Sequence, residues 1–403
     1  MKIQDIHTFL LRVPLGKNRF YSSQAAFPER NSLLIRVETD SGIVGWGESG
    51  QYGPGEPVQT FIQSVLKPRL IGKNPLDTNV LWELMFSGIR DFGRKATGIE
   101  AISGIDIALW DIAGKFYEKP VHELLGGAFR NKIRAYATGC YYRGADVRDH
   151  KSSLQALKDE SLSYIDAGFT ALKGKIGLLG IGADVERVAA IREAIGPDSL
   201  LMIDANHAYN FHTARKIGKY LEELNIHFFE EPVLPEDYYG YRGLRECLNV
   251  AIAAGENEYT RYGFLQLMKQ DCLDIIQPNL SCAGGFTEAK KIEALASSHH
   301  VQLIPHCWGS GVALAATLQF VATLAPFPYT VFEHSPQNAP MVEFDKNFNP
   351  LRDELITEEF RVEDGFVFVP EGPGLGVDIN MSILERYLSN PNSIHRDYGK
   401  IPR

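Results

Sequence analysis

Six short apolar runs in the middle of the chain each end on a polar or charged residue, and the ends recur at nearly constant intervals. The runs are Ala171 to Ile176 (with Lys175), Leu200 to Asp204, Ile226 to Glu230, Ile252 to Glu256, Asp274 to Asn279 and Val301 to His306. Successive ends lie 29, 26, 26, 23 and 27 residues apart. One strand, one helix and two short loops need about that many residues, because an eight-unit barrel uses about 250 in all. Strands alternating with helices imply a parallel sheet. In a barrel the C-terminal strand ends open on one mouth, so these ends converge in space. A doubly wound sheet is the competing fold, but it brings only a few strand ends to one crevice. The even spacing favours the barrel.

The intervening stretches read as helices. From about Ala183, Val185, Val188 and Ile195 share a face, and Gly196-Pro197 stops the helix. Before residue 133 the texture differs. Ser32 to Val37 and Ile43 to Glu48 are β-rich runs around Asp40-Ser41-Gly42, a hairpin signal. Apolar residues at 102, 105, 109 and 112 have helical spacing, and Leu124-Leu125-Gly126-Gly127 closes the region. From about Phe344 the chain turns Gly/Pro-rich, including Pro370 to Gly376, and reads as a return over the surface against the first segment.

Composition removes several classes. The 403 residues carry a net charge of −9 with no lysine or arginine run, which argues against nucleic acid and anionic membranes as partners. No apolar run reaches the roughly 18 residues of a spanning helix. Gly311 to Phe327 is interrupted by Thr317, Gln319 and Thr323 and reads as a buried core helix. The N-terminus shows no secretory pattern, and the five cysteines form no Cys-x-x-Cys pair, so neither a disulfide framework nor a thiolate zinc site is expected. The sequons at Asn279 and Asn380 are then chance matches, and a cytoplasmic location is expected.

Asp204, Glu230 and Glu256 end three consecutive strands. An all-oxygen set suits a hard divalent cation, Mg²⁺ or Mn²⁺, and not zinc. Three close carboxylates without a cation would force at least one to stay protonated. The competing reading makes each an N-cap of its own loop; three in register favour the metal. Lys173 and Lys175 share one face of their strand by period-two alternation. Two adjacent ammonium groups beside a cation lower each other's pKa, which leaves one able to act as a neutral base. A solvated pair is the alternative, but Ala171, Leu172 and Ile176 flank them. His306 is a candidate second acid or base across the mouth. His207 is read as either a supporting or a substrate-facing residue. Gly177, Gly180 and Gly182 lack the further glycine of a dinucleotide loop, since Val185 stands there, and no phosphate-loop motif occurs. A cation, a lysine of lowered pKa and a histidine suit removal of a proton next to a carboxylate, with the enediolate charge stabilised as it forms.

The motifs Ile105-Asp-Ile-Ala-Leu-Trp-Asp111, Leu124 to Gly127, Lys173-x-Lys175, Asp204-Ala-Asn, Glu230-Glu-Pro232, Gly255-Glu256, Gln277-Pro278 with Gly284-Gly285, and His306 follow in an order and spacing that resemble the enolase superfamily, mandelate racemase group, over nearly the whole chain. The resemblance implies a modified (β/α) barrel over residues 131–343. It implies an α+β capping domain over 1–130, with the tail 344–403 packing back on it. It implies Mg²⁺ on Asp204, Glu230 and Glu256, Lys175 as base, Lys173 as its tuning neighbour and His306 on the other substrate face. Glu343 resembles the group's carboxyl donor to the substrate carboxylate, with Glu333 as rival. Capping loops near Arg19 to Phe27 and Gly50 to Gly55 would set specificity, so Tyr21 and Tyr52, with His207 and Trp308, are expected at the substrate. The group is usually homo-oligomeric.

One position departs from the pattern. The group normally carries Asp two residues after Gln277, paired with the histidine; here it is Asn279. A neutral amide orients an imidazole but stabilises its cation much less than a carboxylate does. That favours one-base elimination over two-base racemisation, with His306 as general acid or binding group. Within the group, Asp204-Ala-Asn-His207, Pro305-His-x-Trp-Gly-x-Gly311, Glu343-Phe-Asp345 and Gly372-Pro-Gly-Leu-Gly376 are most similar to sugar-acid dehydratases and galactarolactone cycloisomerases. The expected activity is therefore a Mg²⁺-dependent lyase acting on a sugar acid. Lactone cycloisomerase or epimerase is the alternative, and a metal-binding homologue without turnover is a further one.

Overall fold

The computed structural model describes residues 1–50, 53–144, 149–330 and 339–389. Strand β1 (Ile3–Pro14) starts the first domain; β2 (Phe20–Tyr21) and β3 (Ala26–Phe27) form a small hairpin. Strands β4 (Glu29–Thr39) and β5 (Val44–Ser49) complete an antiparallel sheet of order β1-β4-β5. The expected hairpin turns at Asp40 to Gly42, where Gly42 takes a positive φ of 83°. The helix Thr97–Tyr117 begins five residues before the expected Ile102 and lies against β5. Glycines allow that approach: a Cβ on Gly47 would stand 2.0 Å from the Gly104 carbonyl oxygen.

The second domain is a parallel barrel with helices outside. Its strands are β6 (Lys132–Thr138), β7 (Ala171–Lys175), β8 (Leu200–Asp204), β9 (Phe228–Glu230), β10 (Ala251–Ala254), β11 (Ile275–Ile276), β12 (Gln302–Leu303) and β13 (Met341–Asp345). They pair in chain order from β6 to β12, and β13 pairs parallel with β6 on its other side. The inside is plugged by one apolar side chain from each staff: Tyr136, Ala171, Met202, Phe228, Ala253, Ile275, Ile304 and Met341. Alternation then sends Leu172, Leu201, Ile203 and Phe229 outward into the layer under the helices.

Two expectations need correction. The expected barrel boundary after residue 343 falls inside β13, because Phe344 and Asp345 continue the ladder opposite Ala137 and Thr138. The late strands are also shorter than expected. Glu256, Asn279 and His306 sit two or three residues past β10, β11 and β12. Gly255 takes a φ of 129°, and Pro278 and Pro305 bring no N–H to a ladder.

The tail first adds β14 (Val362–Glu363) and β15 (Phe366–Phe368), the latter antiparallel to β6. It then returns to the first domain, where Asp111 accepts from the Leu375 amide (2.8 Å) and Leu388 bridges Leu11. The apolar segment from Gly311 forms a helix, Gly311–Ala322, buried along its whole length. Among the described residues no helix is long and apolar enough to cross a membrane.

Candidate active site

Below the mouth, the inward face of β7 carries Ala171, Lys173 and Lys175 in succession, so both lysines enter the barrel above the apolar plug. The same parity places Met202 then Asp204 on β8, and Phe228 then Glu230 on β9. Asp204, Glu230 and Glu256 are buried, and each offers an oxygen within 4.8 Å of the others'. Burial pushes Asp204 up, but Lys175 and Lys173 outweigh it and hold its carboxyl at about 2. Burial, with the charges of Asp204 and Glu343, pushes Glu230 up to about 8 against the pull of Lys173. Burial and the charges of Glu231, Asp204 and Glu230 push Glu256 well above the carboxylate range. Protein cations alone therefore do not keep all three ionised. A buried, all-oxygen set with that deficit of positive charge fits a hard divalent cation.

Lys173 is fully buried, with Nζ 2.7 and 3.0 Å from the two Glu230 oxygens, 2.9 Å from Glu343 Oε1 and 4.0 Å from Asp204. Lys175 pairs with Asp204, and its Nζ lies 5.0 Å from the Tyr141 ring centroid. Lys173 lowers the Lys175 pKa, as expected, but the carboxylates around the pair outweigh it. Burial disfavours both charges, but Glu230 and Glu343 raise Lys173, and Asp204 raises Lys175. Each ammonium faces carboxylates first and its sister second.

Asn279 and His306 are neighbours. The Asn279 oxygen accepts from the Ser281 amide (2.9 Å), which turns its Nδ2 toward His306 Nδ1 at 2.9 Å. An amide donor makes Nδ1 the acceptor and leaves the proton on Nε2. That Nε2 lies 3.2 Å from Glu256 Oε2 and 3.7 Å from Glu343 Oε2. Burial, aided by Lys173 and Lys175, pushes the imidazole down to about 4 although Glu343 pulls it up, so it is neutral near pH 7.

Glu343 accepts from Thr138 Oγ1 (2.6 Å) and the Cys307 amide (3.2 Å) besides its pair with Lys173. Burial raises it, but Lys173, His306 and Lys175 bring it down to about 2. In this arrangement it is an ionised acceptor and a counter-ion of Lys173, not the protonated form that a carboxyl donor to substrate needs. Its rival Glu333 lies outside the described residues, as does Tyr52.

For His207, of the two roles left open, the contacts favour the supporting one. Its Nδ1 lies 3.2 Å from the Val233 carbonyl oxygen, while Nε2 lies 3.0 Å from both Glu231 Oε2 and Asn257 Nδ2. Both ring nitrogens have protein partners, so it braces the loops after β8, β9 and β10. Asn206 adds two hydrogen bonds to Asp204, from its amide (2.7 Å) and from Nδ2 (3.2 Å).

The β2–β3 hairpin docks over the mouth. Tyr21 bridges Tyr142 through the backbone, and Ser23 Oγ donates to the Ala205 carbonyl oxygen (2.6 Å) right after Asp204. Phe20 and Phe27 pack on Tyr141 and Trp308. The sequence reading did not single out Thr138, Ser23, Tyr141, Glu231 or Asn257. Only Thr138 had a usable signal, since it ends β6 at the mouth as Lys175 ends β7.

A capped parallel barrel with a metal-fit carboxylate triad, two inward lysines and a histidine defines the class of metal-assisted barrel enzymes. Comparison with known proteins names the family. Residues 8–126 match the mandelate racemase / muconate lactonizing enzyme N-terminal domain, and residues 156–383 match the enolase C-terminal domain-like family. D-galactarolactone cycloisomerase of Agrobacterium fabrum is 41% identical, over 96% of this chain and 99% of its own. Arabinonate dehydratase of Saccharolobus solfataricus is 39% identical, over 88% and 90%. The crystal structure of 3,6-anhydro-D-galactonate cycloisomerase from Zobellia galactanivorans superposes with a TM-score of 0.85 at 40% identity, over 97% of this chain and all of that one. The chain belongs to the enolase superfamily, in the mandelate racemase / muconate lactonizing enzyme family. Members of that superfamily bind Mg²⁺.

Proposed function

We propose that the protein removes the proton α to the carboxylate of a sugar acid and then expels the β oxygen, with Mg²⁺ held by Asp204, Glu230 and Glu256. Mn²⁺ suits the same oxygen set. The observation that carries this reading is that Lys175 contacts one triad carboxylate, Asp204, while His306 contacts another, Glu256. Base and histidine thus flank the place where a substrate carboxylate would meet the triad. When bound, the cation supplies Lewis-acid stabilisation of the enediolate charge.

Lys175 takes the α proton as a free amine. That form requires Asp204 to be engaged elsewhere, after which Lys173, anchored by Glu343, repels a second ammonium. His306, neutral with its proton on Nε2, hydrogen-bonds the departing oxygen; full proton transfer to a leaving hydroxyl would need the imidazolium, whereas a leaving carboxylate needs no proton. A ring in that tautomer does not accept a proton at Nε2, which supports one-base elimination over epimerisation.

Two leaving groups fit. Loss of a hydroxyl makes the protein a dehydratase, like the arabinonate relative; loss of a lactone ring oxygen makes it a cycloisomerase, like the galactarolactone relative. None of the five cysteines, all among the described residues, forms a disulfide, which suits a reducing compartment, and we place the enzyme in the cytoplasm. A panel of sugar acids and lactones in D₂O, followed by NMR, tests the reading. Keto acid with loss of water marks the dehydratase, and ring opening without loss marks the cycloisomerase. A new stereocentre alone would mark an epimerase. No product and no exchange from any acid would leave only a metal-binding homologue.

A further inference from the structure

The helix Ile181–Ile195, which follows β7, carries a carboxylate that the proposed reaction does not use. Asp184 lies in its first turn and is fully buried. Oδ1 accepts from the Tyr142 hydroxyl at 2.5 Å. Oδ2 accepts from the Tyr209 hydroxyl and from the Gly177 amide, each at 3.1 Å. The Tyr142 oxygen in turn accepts from the Leu178 amide at 3.3 Å. Arg187, on the same helix, places its Cζ 4.1 Å from the Tyr142 ring centroid, and its charge offsets part of what burial costs the carboxylate.

These partners come from separate segments around the mouth. Tyr142 follows β6, and its backbone exchanges hydrogen bonds with that of Tyr21 in the β2–β3 hairpin, at 2.9 and 3.0 Å. Gly177 and Leu178 follow β7, two and three residues past Lys175. Tyr209 follows β8, and its amide donates to the Pro232 carbonyl oxygen after β9 at 3.3 Å. Packing closes the same junction. Gly177 takes a φ of 102°, and a Cβ there would stand 2.4 Å from Ala208 Cβ and 3.1 Å from Ser23 Cβ. The hairpin and the loops after β7 and β8 thus meet where a side chain has no room.

The ladders show why this junction bears on Lys175. On the β8 side, Lys175 pairs with Asp204 and the Ile176 amide donates to the Asp204 carbonyl oxygen at 2.9 Å. On the β6 side, the pairing stops at Thr138 and Lys173, two residues short of Lys175. Beyond that point the link between β6 and β7 runs through the Tyr142 hydroxyl and Asp184. Hydrogen bonds to a carboxylate are about twice as strong as neutral ones, and burial removes the competition of water. Displacing the hairpin pulls on Tyr142, whose hydroxyl Asp184 shares with the loop after Lys175. We propose that Asp184 is a positioning residue that, through Tyr142, ties docking of the hairpin to the placement of Lys175. The base then reaches its working position when the cap is seated. The inference rests on the proposed function for the role of Lys175. Asp184 acts through its neighbours and takes no part in the proton transfer.

Tyr142→Phe carries the test, because it removes the shared hydroxyl and keeps both the ring beside Arg187 and the backbone pair with Tyr21. The substrate is whichever acid or lactone of the panel exchanges its α proton fastest. The measurements are kcat and KM for exchange in D₂O and Mn²⁺ affinity, with folding checked by thermal melting. The expected result is a fall in kcat of about tenfold, the scale of one lost hydrogen bond, with KM and Mn²⁺ affinity within about twofold of wild type. Asp184→Asn, which keeps the shape and gives up one acceptor oxygen, is expected to lose at least as much. Wild-type kcat in both variants, with only the melt lowered, makes the network structural and overturns the inference. A loss carried by KM alone leaves the hairpin unconnected to the base and overturns it too. Either result leaves the proposed elimination standing. Absence of α-proton exchange by the wild type with every acid and lactone overturns both.

Discussion

Asn279 presents its amide nitrogen, not an oxygen, to Nδ1 of His306 at 2.9 Å, because the Ser281 amide already holds the Asn279 oxygen. The pair fixes the imidazole tautomer by an ordinary N-cap contact of the short helix Leu280–Ala283. Replacing the amide with a carboxylate turns that donor into an acceptor with charge. Asn279→Asp is expected to move the proton to Nδ1 and raise the His306 pKa by at least one unit from its lowered position. An NMR titration of the Mg²⁺-loaded protein checks this. A resonance that does not move upward would contradict the pairing.

The base is the next test. Lys175→Ala removes the amine and leaves Asp204, Glu230 and Glu256 in place. Exchange of the substrate α proton with D₂O is expected to fall by at least 10³-fold, the scale of a lost proton-transfer group. Mn²⁺ binding, followed by electron paramagnetic resonance, is expected to persist. Undiminished exchange would take Lys175 out of the reaction.

How much of this was legible beforehand follows from where each contact lies. Lys173 and Lys175 share a strand, so alternation alone turned both inward, and Asp204 and Glu230 close β8 and β9 as their apolar runs suggested. Glu256, Asn279 and His306 were found as strand ends, yet they stand beyond the ladders, where Gly255 and two prolines release the chain. The carboxylates that outweigh the repulsion between the lysines were less visible, because Glu343, which helps to hold Lys173, lies on the closing strand far along the chain. His207 was equally opaque, since Glu231 and Asn257 reach it from two other loops. The Arg30–Asp345 pair and the packing of Phe20 and Phe27 on Trp308 join segments hundreds of residues apart, and no local pattern announces them.

Glu48 shows how the cap governs the mouth. Its carboxylate accepts from Ser310 Oγ (2.5 Å), the Ser310 amide (3.0 Å), the Ala313 amide (3.0 Å) and Ser32 Oγ (2.8 Å). A side chain from β5 thus caps the helix Gly311–Ala322, just after the loop bearing His306 and Trp308. Glu48→Ala leaves those buried amides without their acceptor. It is expected to cost about 1–3 kcal/mol in a urea melt and to raise KM for substrate. An unchanged melt would deny the cap its role.

Stability should also depend on pH through Asp106, buried in the helix Thr97–Tyr117. Its Oδ2 accepts from the Thr287 amide (2.9 Å), while Oδ1 has no partner. Burial pushes it up to about 7, against the pull of Thr287 and Lys291. The folded pKa is above the unfolded value, so the native state holds the proton more tightly. The contribution is full below about pH 4 and is lost as pH rises to about 7. His227, pushed down to about 4 by burial, acts in the opposite direction between about pH 4 and 6.5. The comparison with Asp106→Asn isolates the aspartate. The variant is expected to gain stability relative to wild type between pH 5 and pH 8, by about 1–3 kcal/mol. Parallel urea midpoints at the two pH values would contradict it.

The account rests on Asp204, Glu230 and Glu256 closing around one hard cation. Crystals grown with Mn²⁺ and measured for anomalous scattering test this most directly. The expected result is one strong peak bonded to an oxygen of each of the three, at about 2.0–2.3 Å. Crystals with Mn²⁺ elsewhere, and no peak among these three carboxylates, would contradict it.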